Sequence, residues 1–272
     1  AASDVYKRQL QYDTEGNVSN GSDFITWTPI ADWMGNRTTQ YSGTFDGNNK
    51  TVSGLYFNGD STCIGLFGSS ESDGNIKNVG VVDSYFKGND HVGGVCGNNA
   101  GTITNCYNAG NLTAIESSAT IGGICGYNNG GTVANCYNTG TVTATGTVAS
   151  VGGVCGCSTE LILNCYNIGT VTAASSGADI SGICGYNFGP IKNCYYLADT
   201  EDENGGKTAA QFASGEIAYL LSQGCTVGEG EDAVTYSGSV WGQALGGNGD
   251  TYPVLDSTKS CLLYTSPSPR DY

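Results

Sequence analysis

Positive charge is scarce in this sequence: 10 Lys and Arg stand against 25 Asp and Glu, a formal net charge of -15. A nucleic-acid surface must neutralise phosphate with clustered basic groups, so that class of partner is excluded. No stretch of ~18 apolar residues occurs, which leaves no helical membrane span. Histidine occurs once, at His91, so the zinc-peptidase pattern His-Glu-x-x-His is absent. Apolar residues are 39% of the chain, below the ~45–50% usual for soluble domains. Glycine is abundant instead, 43 of 272 residues. It follows no G-X-Y period, which excludes collagen. The 12 Cys are spread too thinly for a disulfide-dense miniprotein.

The cysteines fall in a repeat. Gly93-Gly94-Val95-Cys96-Gly97 recurs as GGICG at 122–126, GGVCG at 152–156 and SGICG at 181–185. A second block, Asn105-Cys106-Tyr107, recurs at 135–137, 164–166 and 193–195. The spacings are 29 or 30 residues throughout, and a degenerate earlier copy includes Ile64-Gly65-Leu66-Phe67-Gly68. Each copy holds three short β-prone runs, for example 151–156, 161–167 and 169–174, separated by Gly, Asn and Ser. Hairpins need tight reversing signals, whereas identical blocks at fixed spacing describe a stack of coils. The sequence therefore predicts an all-β chain: a parallel β-helix of roughly six coils, one three-strand coil per repeat.

In such a stack each repeated position becomes a column at the ~4.8 Å strand spacing. Val, Ile and Leu fill the interior, and Asn at a corner bonds its copies above and below. Like charges stacked at that spacing would repel. Residues 92–198 hold only four charged groups, Glu116, Glu160, Asp179 and Lys192.

The pattern G-G-[VI]-C-G-x-N-x-G-x-[IV]-x-N-C-Y-N-x-G-x-[VL]-T resembles the GLUG-motif repeats of bacterial cell-surface proteins. The lead-in, Trp27-Thr28-Pro29-Ile30 and Gly43-Thr44-Phe45-Asp46-Gly47-Asn48, resembles the usual start of such arrays. The stretch from Cys194 to Leu255 resembles their end. The chain departs from the pattern in its Cys richness and at Cys157, where Tyr-Asn is usual. The resemblance implies a secreted or surface-attached bacterial protein, adhesin-like or stalk-like, with no catalytic role. It implies glycans or surface proteins as partners, no cofactor and a monomer. Two alternatives stand beside it: the non-catalytic repeat region of a secreted zinc peptidase, and a β-helix carbohydrate-active protein.

The two ends read as foreign. Residues 4–9 can be coded GAT GTG TAT AAG AGA CAG; the reverse complement, read from its second base, gives Cys-Leu-Leu-Tyr-Thr, the residues at 261–265. Both tails resemble translated sequencing adapters on an internal fragment of a longer, metagenomic reading frame. The expected organisation is adapter tail 1–9, N-terminal part and degenerate coils 10–90, repeat coils 91–198, cap 199–260 and adapter tail 261–272. Thr208-Ala209-Ala210-Gln211 fits a capping box opening a helical stretch over 208–223, split at Gly215 and stopped by Gly224. A cap there would cover the open end of the solenoid, whose last strands otherwise lack partners.

Two sets of side chains stand out as sites. The Cys columns are Cys96, Cys125, Cys155, Cys184 and Cys106, Cys136, Cys165, Cys194. Zinc disfavours their spacing, disulfides between coils fit the distance but not the side-chain direction, and buried free thiols acting as small apolar fillers are preferred. The Tyr column, Tyr107, Tyr137, Tyr166 and Tyr195, is read as corner packing, with stacking on a ligand as its alternative. His91 aligns with Thr120, Ser150 and Asp179, too far from Asp179 for a catalytic pair. The acidic runs Asp199–Asn204 and Glu229, Glu231, Asp232 read as solvated loops rather than Ca²⁺ sites.

Overall fold

The repeated blocks do pair copy to copy. A computed structural model describes residues 10–14, 18–31, 40–230, 233–246 and 249–259; both adapter-like tails, Glu231 and Asp232 lie outside them. Cys96 pairs with Cys125, Cys125 with Cys155 and Cys155 with Cys184, all in parallel. Ile103, Val133, Ile162 and Ile191 form a second such series, and Leu112, Val142 and Val171 a third. The fold is a parallel β-solenoid of about five turns. Its start is built by the lead-in: Ile30 bridges Phe67, Tyr41 bridges Ser70, and Thr44–Ser53 pairs with Asn75–Val82.

Two of the three runs in each copy bend midway. In the third clear copy the strands are Ser150–Gly152, Cys155–Ser158, Ile162–Leu163, Tyr166–Asn167 and Val171–Ala173. The bend in the NCY run has a definite cause. Asn105, Asn135, Asn164 and Asn193 adopt φ of 54°, 52°, 51° and 53°, the left-handed region that Asn tolerates better than other side-chain-bearing residues. The bend in the GGVCG run needs glycine for space. A Cβ on Gly94 would lie 2.5 Å from Cγ of Asn108, closer than any carbon contact allows.

The interior is one continuous column of Ile, Val, Leu and Cys, with Ile76, Ile103, Val133 and Ile162 fully buried in register. Each such side chain contributes ~1.5–3 kcal/mol by leaving water. At the start of the column larger rings do the filling: Phe67 packs against Tyr41 and Phe45 at centroid distances of 4.9 and 5.3 Å.

After the last coil the chain changes character. Helix α1 (Ala209–Ala213) opens with the expected capping box, in which Gln211 N donates to Thr208 Oγ1 and Thr208 N to Gln211 Oε1. Gly215, at φ 86°, separates it from α2 (Glu216–Ser222). A hairpin follows, Cys225–Val227 against Val234–Tyr236. The expected position of this cap is corrected by the structure. Phe212, Ile217, Leu221 and Trp241 pack on Tyr166, with Tyr137 and Tyr195 beside them, so the cap lies along the flank of several coils. Tyr195–Leu197 gains Gly206–Lys207 as a further strand. Among the described residues, the last strands of the other sheets, including Asp179–Ser181 and Cys184–Asn187, are edges, and Tyr186 and Phe188 are exposed. The flank wins because it offers a stacked tyrosine surface to bury, whereas the end offers mainly strand edges.

Truncating one interior rung tests the packing. Ile103→Ala should lower stability by about 2–5 kcal/mol in urea titration, while Ser118→Ala at an exposed turn should change it by under about 0.5 kcal/mol.

Candidate functional site

Stacking places chemically capable residues in columns, and each column has a distinct fate. The eight repeat cysteines are buried, and most donate to a nearby carbonyl: Cys106 Sγ lies 3.1 Å from Thr104 O, Cys136 Sγ 3.2 Å from Ala134 O and Cys165 Sγ 3.1 Å from Leu163 O. Among the described residues no two cysteines are joined in a disulfide. Burial pushes Cys96 and Cys184 up to about 12 and raises Cys125, Cys136, Cys155, Cys165 and Cys194 well above an ordinary thiol. A thiol that does not ionise is neither a nucleophile nor a ready metal ligand. Among the described residues no group of three or more His, Cys, Asp or Glu is placed to hold a metal.

The amides form columns of their own. Asn108 Nδ2 donates to Asn138 Oδ1, and Asn138 Nδ2 to Asn167 Oδ1, both at 2.8 Å. Each of the three also closes a local ring: its Nδ2 reaches the carbonyl of Gly110, Gly140 or Gly169, whose N–H returns to its Oδ1. A second buried column runs from Ser70 through Asn99 and Asn128 to Ser158. The sequence reading did not single out this column, although Asn99 and Asn128 stand three residues after Cys96 and Cys125, within the repeat pattern. The bend residues form a third, outer set, with Asn105 donating to Asn78 and Asn193 to Asn164 at 2.9 Å. Within it Asn135 and Asn164 donate outward to the carbonyls of Ser237 and Tyr236, pinning the flank segment.

The tyrosines stack as a graded column. Tyr107 and Tyr137 lie 4.7 Å apart with planes 4° from parallel; Tyr137 and Tyr166 lie 5.0 Å apart at 2°. Tyr166 is buried, its hydroxyl donating to Pro253 O at 2.6 Å. Tyr195 is half-buried, and its hydroxyl donates to Asn193. Burial raises all four phenols, Tyr195 to about 12. Tyr107 and Tyr137 also line a cleft of about 280 Å³ with Asn49, Asn78, Asn105 and Asp256.

His91 sits at a bend, at φ 50°, and is partly buried. Its Nδ1 lies 2.8 Å from Thr120 Oγ1 and 2.9 Å from Asp90 Oδ1. A nucleophilic relay needs acid and hydroxyl on opposite ring nitrogens; here both meet the same one. Burial raises the Asp90 carboxyl, but bonds from His91 and from the Thr120 and His91 amides outweigh it and hold the group below its usual value. Asp90 was not singled out in the sequence, and its role is to tie two coils together. Asp179 pairs with Ser150, away from His91. In the acidic loop, Asp202 accepts from Tyr196 and from the amides of Asn204 and Gly206, and Glu201 pairs with Lys207.

Two measurements check this assignment. Asn138→Ala strands a donor on Asn108 and an acceptor on Asn167, at about 1–3 kcal/mol per group, so its melting temperature should fall well below that of exposed Asn187→Ala. In thiol titration, half-exposed Cys225 should react first among the described cysteines, and the repeat cysteines should react only as the protein unfolds.

Comparison with known proteins agrees with the repeat. The family model described as the GLUG motif matches residues 117–143, one copy containing Cys125 and Tyr137. Halomucin of Haloquadratum walsbyi is 30% identical over 131 residues, which are 46% of this chain and 1% of halomucin. The chain thus spans a very small part of that relative's length. The crystal structure of a candidate immunoglobulin A1 protease from Bacteroides ovatus superposes with a TM-score of 0.60 at 18% identity, over 85% of this chain and 81% of that one; the likeness is one of fold. The chain is a parallel β-solenoid whose repeat carries the GLUG motif.

Proposed function

We propose that this solenoid is the non-catalytic repeat region of a secreted or surface-attached bacterial protein, acting as an adhesin-like or stalk segment. The observation that carries the reading is that the array uses up its own reactive groups. Its repeat thiols are buried, its inner amides bond their copies, and its single His shares one ring nitrogen between Thr120 and Asp90. General acid–base or nucleophilic chemistry needs such groups converging on open space. The GLUG match over residues 117–143 and the similarity to a stretch of halomucin support the same reading. A low-charge Thr, Ser and Asn exterior suits a spacer that holds other parts away from a surface.

The fold likeness to the Bacteroides ovatus protein keeps a second reading, the non-catalytic repeat region of a secreted peptidase. Both readings expect no turnover by this chain alone, no cofactor, and a monomer. Incubation of the purified chain with casein, immunoglobulin A and a panel of plant and mucin polysaccharides should release no product, and size exclusion should give a single monomeric species. Product released in proportion to protein, and abolished by a point substitution such as Asp90→Asn or His91→Ala, would overturn the non-catalytic reading.

A further inference from the structure

Each coil lays down three runs, and the last coil leaves the stack before its third. Tyr196 pairs with Asn167, and its ring fills the place above Gly182, where a Cβ would lie 2.1 Å from Tyr196 Cγ. The chain then turns away, with Ala198 N donating to Lys207 O. Among the described residues Val171–Ala173 is therefore the last strand of its five-stranded sheet. Burial follows the same break. Leu112, Ala114, Val142 and Ala144 are buried, whereas Val171 and Ala173 are half-buried. Ile180 is 50% exposed, although its copies Ile121 and Val151 are 0% exposed. The backbone is cut at the same rung. Leu112 N donates to Thr141 O and Val142 N to Thr170 O, each one coil on. The next N–H of that series, Val171, faces out of the stack.

A groove of about 920 Å³ runs along this edge, lined among others by Gly169, Thr170, Val171, Ile180, Asp199 and Thr208. We propose that it accepts one extended peptide strand of another polypeptide, added in parallel to Gly169–Ala173 as a further copy of the third run. The contact continues the interface by which each coil already rests on the one before it, and an edge of unpaired N–H and C=O groups is a template for such addition. The columns below set the sequence of the strand. A Cβ on Gly169 would lie 2.0 Å from Gly140 O, and one on Gly140 1.9 Å from Gly110 O, so the added strand needs Gly above Gly169. The columns Leu112, Val142, Val171 and Ala114, Ala144, Ala173 call for a branched aliphatic two residues later and Ala two after that, with Thr or Ser between. Charge excludes an acidic strand. Asp199 is the one charged residue of the lining, and Glu201, Asp202 and Glu203 follow it in the same loop. A second folded copy has no such strand to give, because its own runs of this pattern, 110–114, 140–144 and 169–173, are built into its stack. The inference stands apart from the reading of the array as a surface segment.

The test is an NMR titration of the isotope-labelled full chain with the end-capped peptide Lys-Gly-Thr-Val-Thr-Ala, and with the same peptide N-methylated at both Thr. Thr145 N donates back to Ala114 O and Ala174 N to Ala144 O. Alternation along a strand turns the N–H groups two and four residues earlier, at the Thr positions, the same way. The plain peptide should bind with a Kd of roughly 0.1–1 mM, shift the signals of Thr170–Ala173 and Ile180–Gly182, and slow exchange of the Val171 amide. N-methylation should weaken it at least about tenfold. Val171→Pro removes the outward N–H of an edge strand, a place where Pro is tolerated, and should weaken binding by a similar factor. Ile180→Ser, at an exposed wall, should weaken it severalfold with an unchanged melting temperature, and serves where Val171→Pro is unstable. Absence of saturable shifts, or equal binding of the plain and N-methylated peptides, would overturn the proposal and leave the non-catalytic reading intact. Dimers in size exclusion that Val171→Pro abolishes would assign the edge to a second copy and overturn it as well.

Discussion

Most residues of the array sit on a copy of themselves or on a close substitute. In-register parallel pairing at ~4.8 Å imposes that condition, and the composition follows from it. A charge would face its own charge one coil away; a large aliphatic on the outside would build an apolar stripe. What survives outside is Thr, Ser and Asn, and inside are Ile, Val, Leu and Cys, which pack on themselves. Asn is favoured because its side chain carries a donor and an acceptor, so identical copies can bond head to tail without a second residue type. The Asn108, Asn138, Asn167 column does this while also closing a turn in each coil. A buried polar column of this kind is sensitive: satisfied at every rung it fixes register, and broken at one rung it strands two partners.

The same condition explains why abundant cysteine yields no chemistry here. Stacked thiols in an apolar interior are pushed toward protonation by burial and by one another. They behave as small fillers that can also donate weakly to a carbonyl. The tyrosine column obeys the rule on the outer surface, where the rings stack nearly parallel. It leaves a long apolar flank, and the chain after the last coil folds back to bury its upper part under Phe212 and Trp241. At the lower end Gly80 stands in place of a tyrosine, and the Tyr107 ring lies directly against its backbone.

Much of this was legible in the sequence because periodicity is a strong signal. The period, the parallel pairing, the interior residues, the corner Asn and the two-helix segment with its capping box could all be read from the spacing of Cys, Gly, Asn and Thr208. What could not be read depended on contacts outside the period. The side on which the helices dock is set by Tyr166 meeting Phe212, Trp241 and Pro253, none of which repeats. The bends inside two of the three runs follow from backbone angles at Asn105 and its copies, which a run of β-prone residues conceals. Asp90 escaped notice because it occurs in one copy only, where it ties His91 to Thr120.

The central claim is that each coil rests in register on the next. Methyl-labelled NMR of the 28.0 kDa chain reads this directly, because Ile103, Val133 and Ile162 occupy one column. Nuclear Overhauser contacts should join Ile103 to Val133 and Val133 to Ile162, with none linking Ile103 directly to Ile162 across two coils. A direct Ile103–Ile162 contact, or antiparallel contacts between neighbouring runs of one copy in place of these, would contradict the stacked solenoid and the account of its columns.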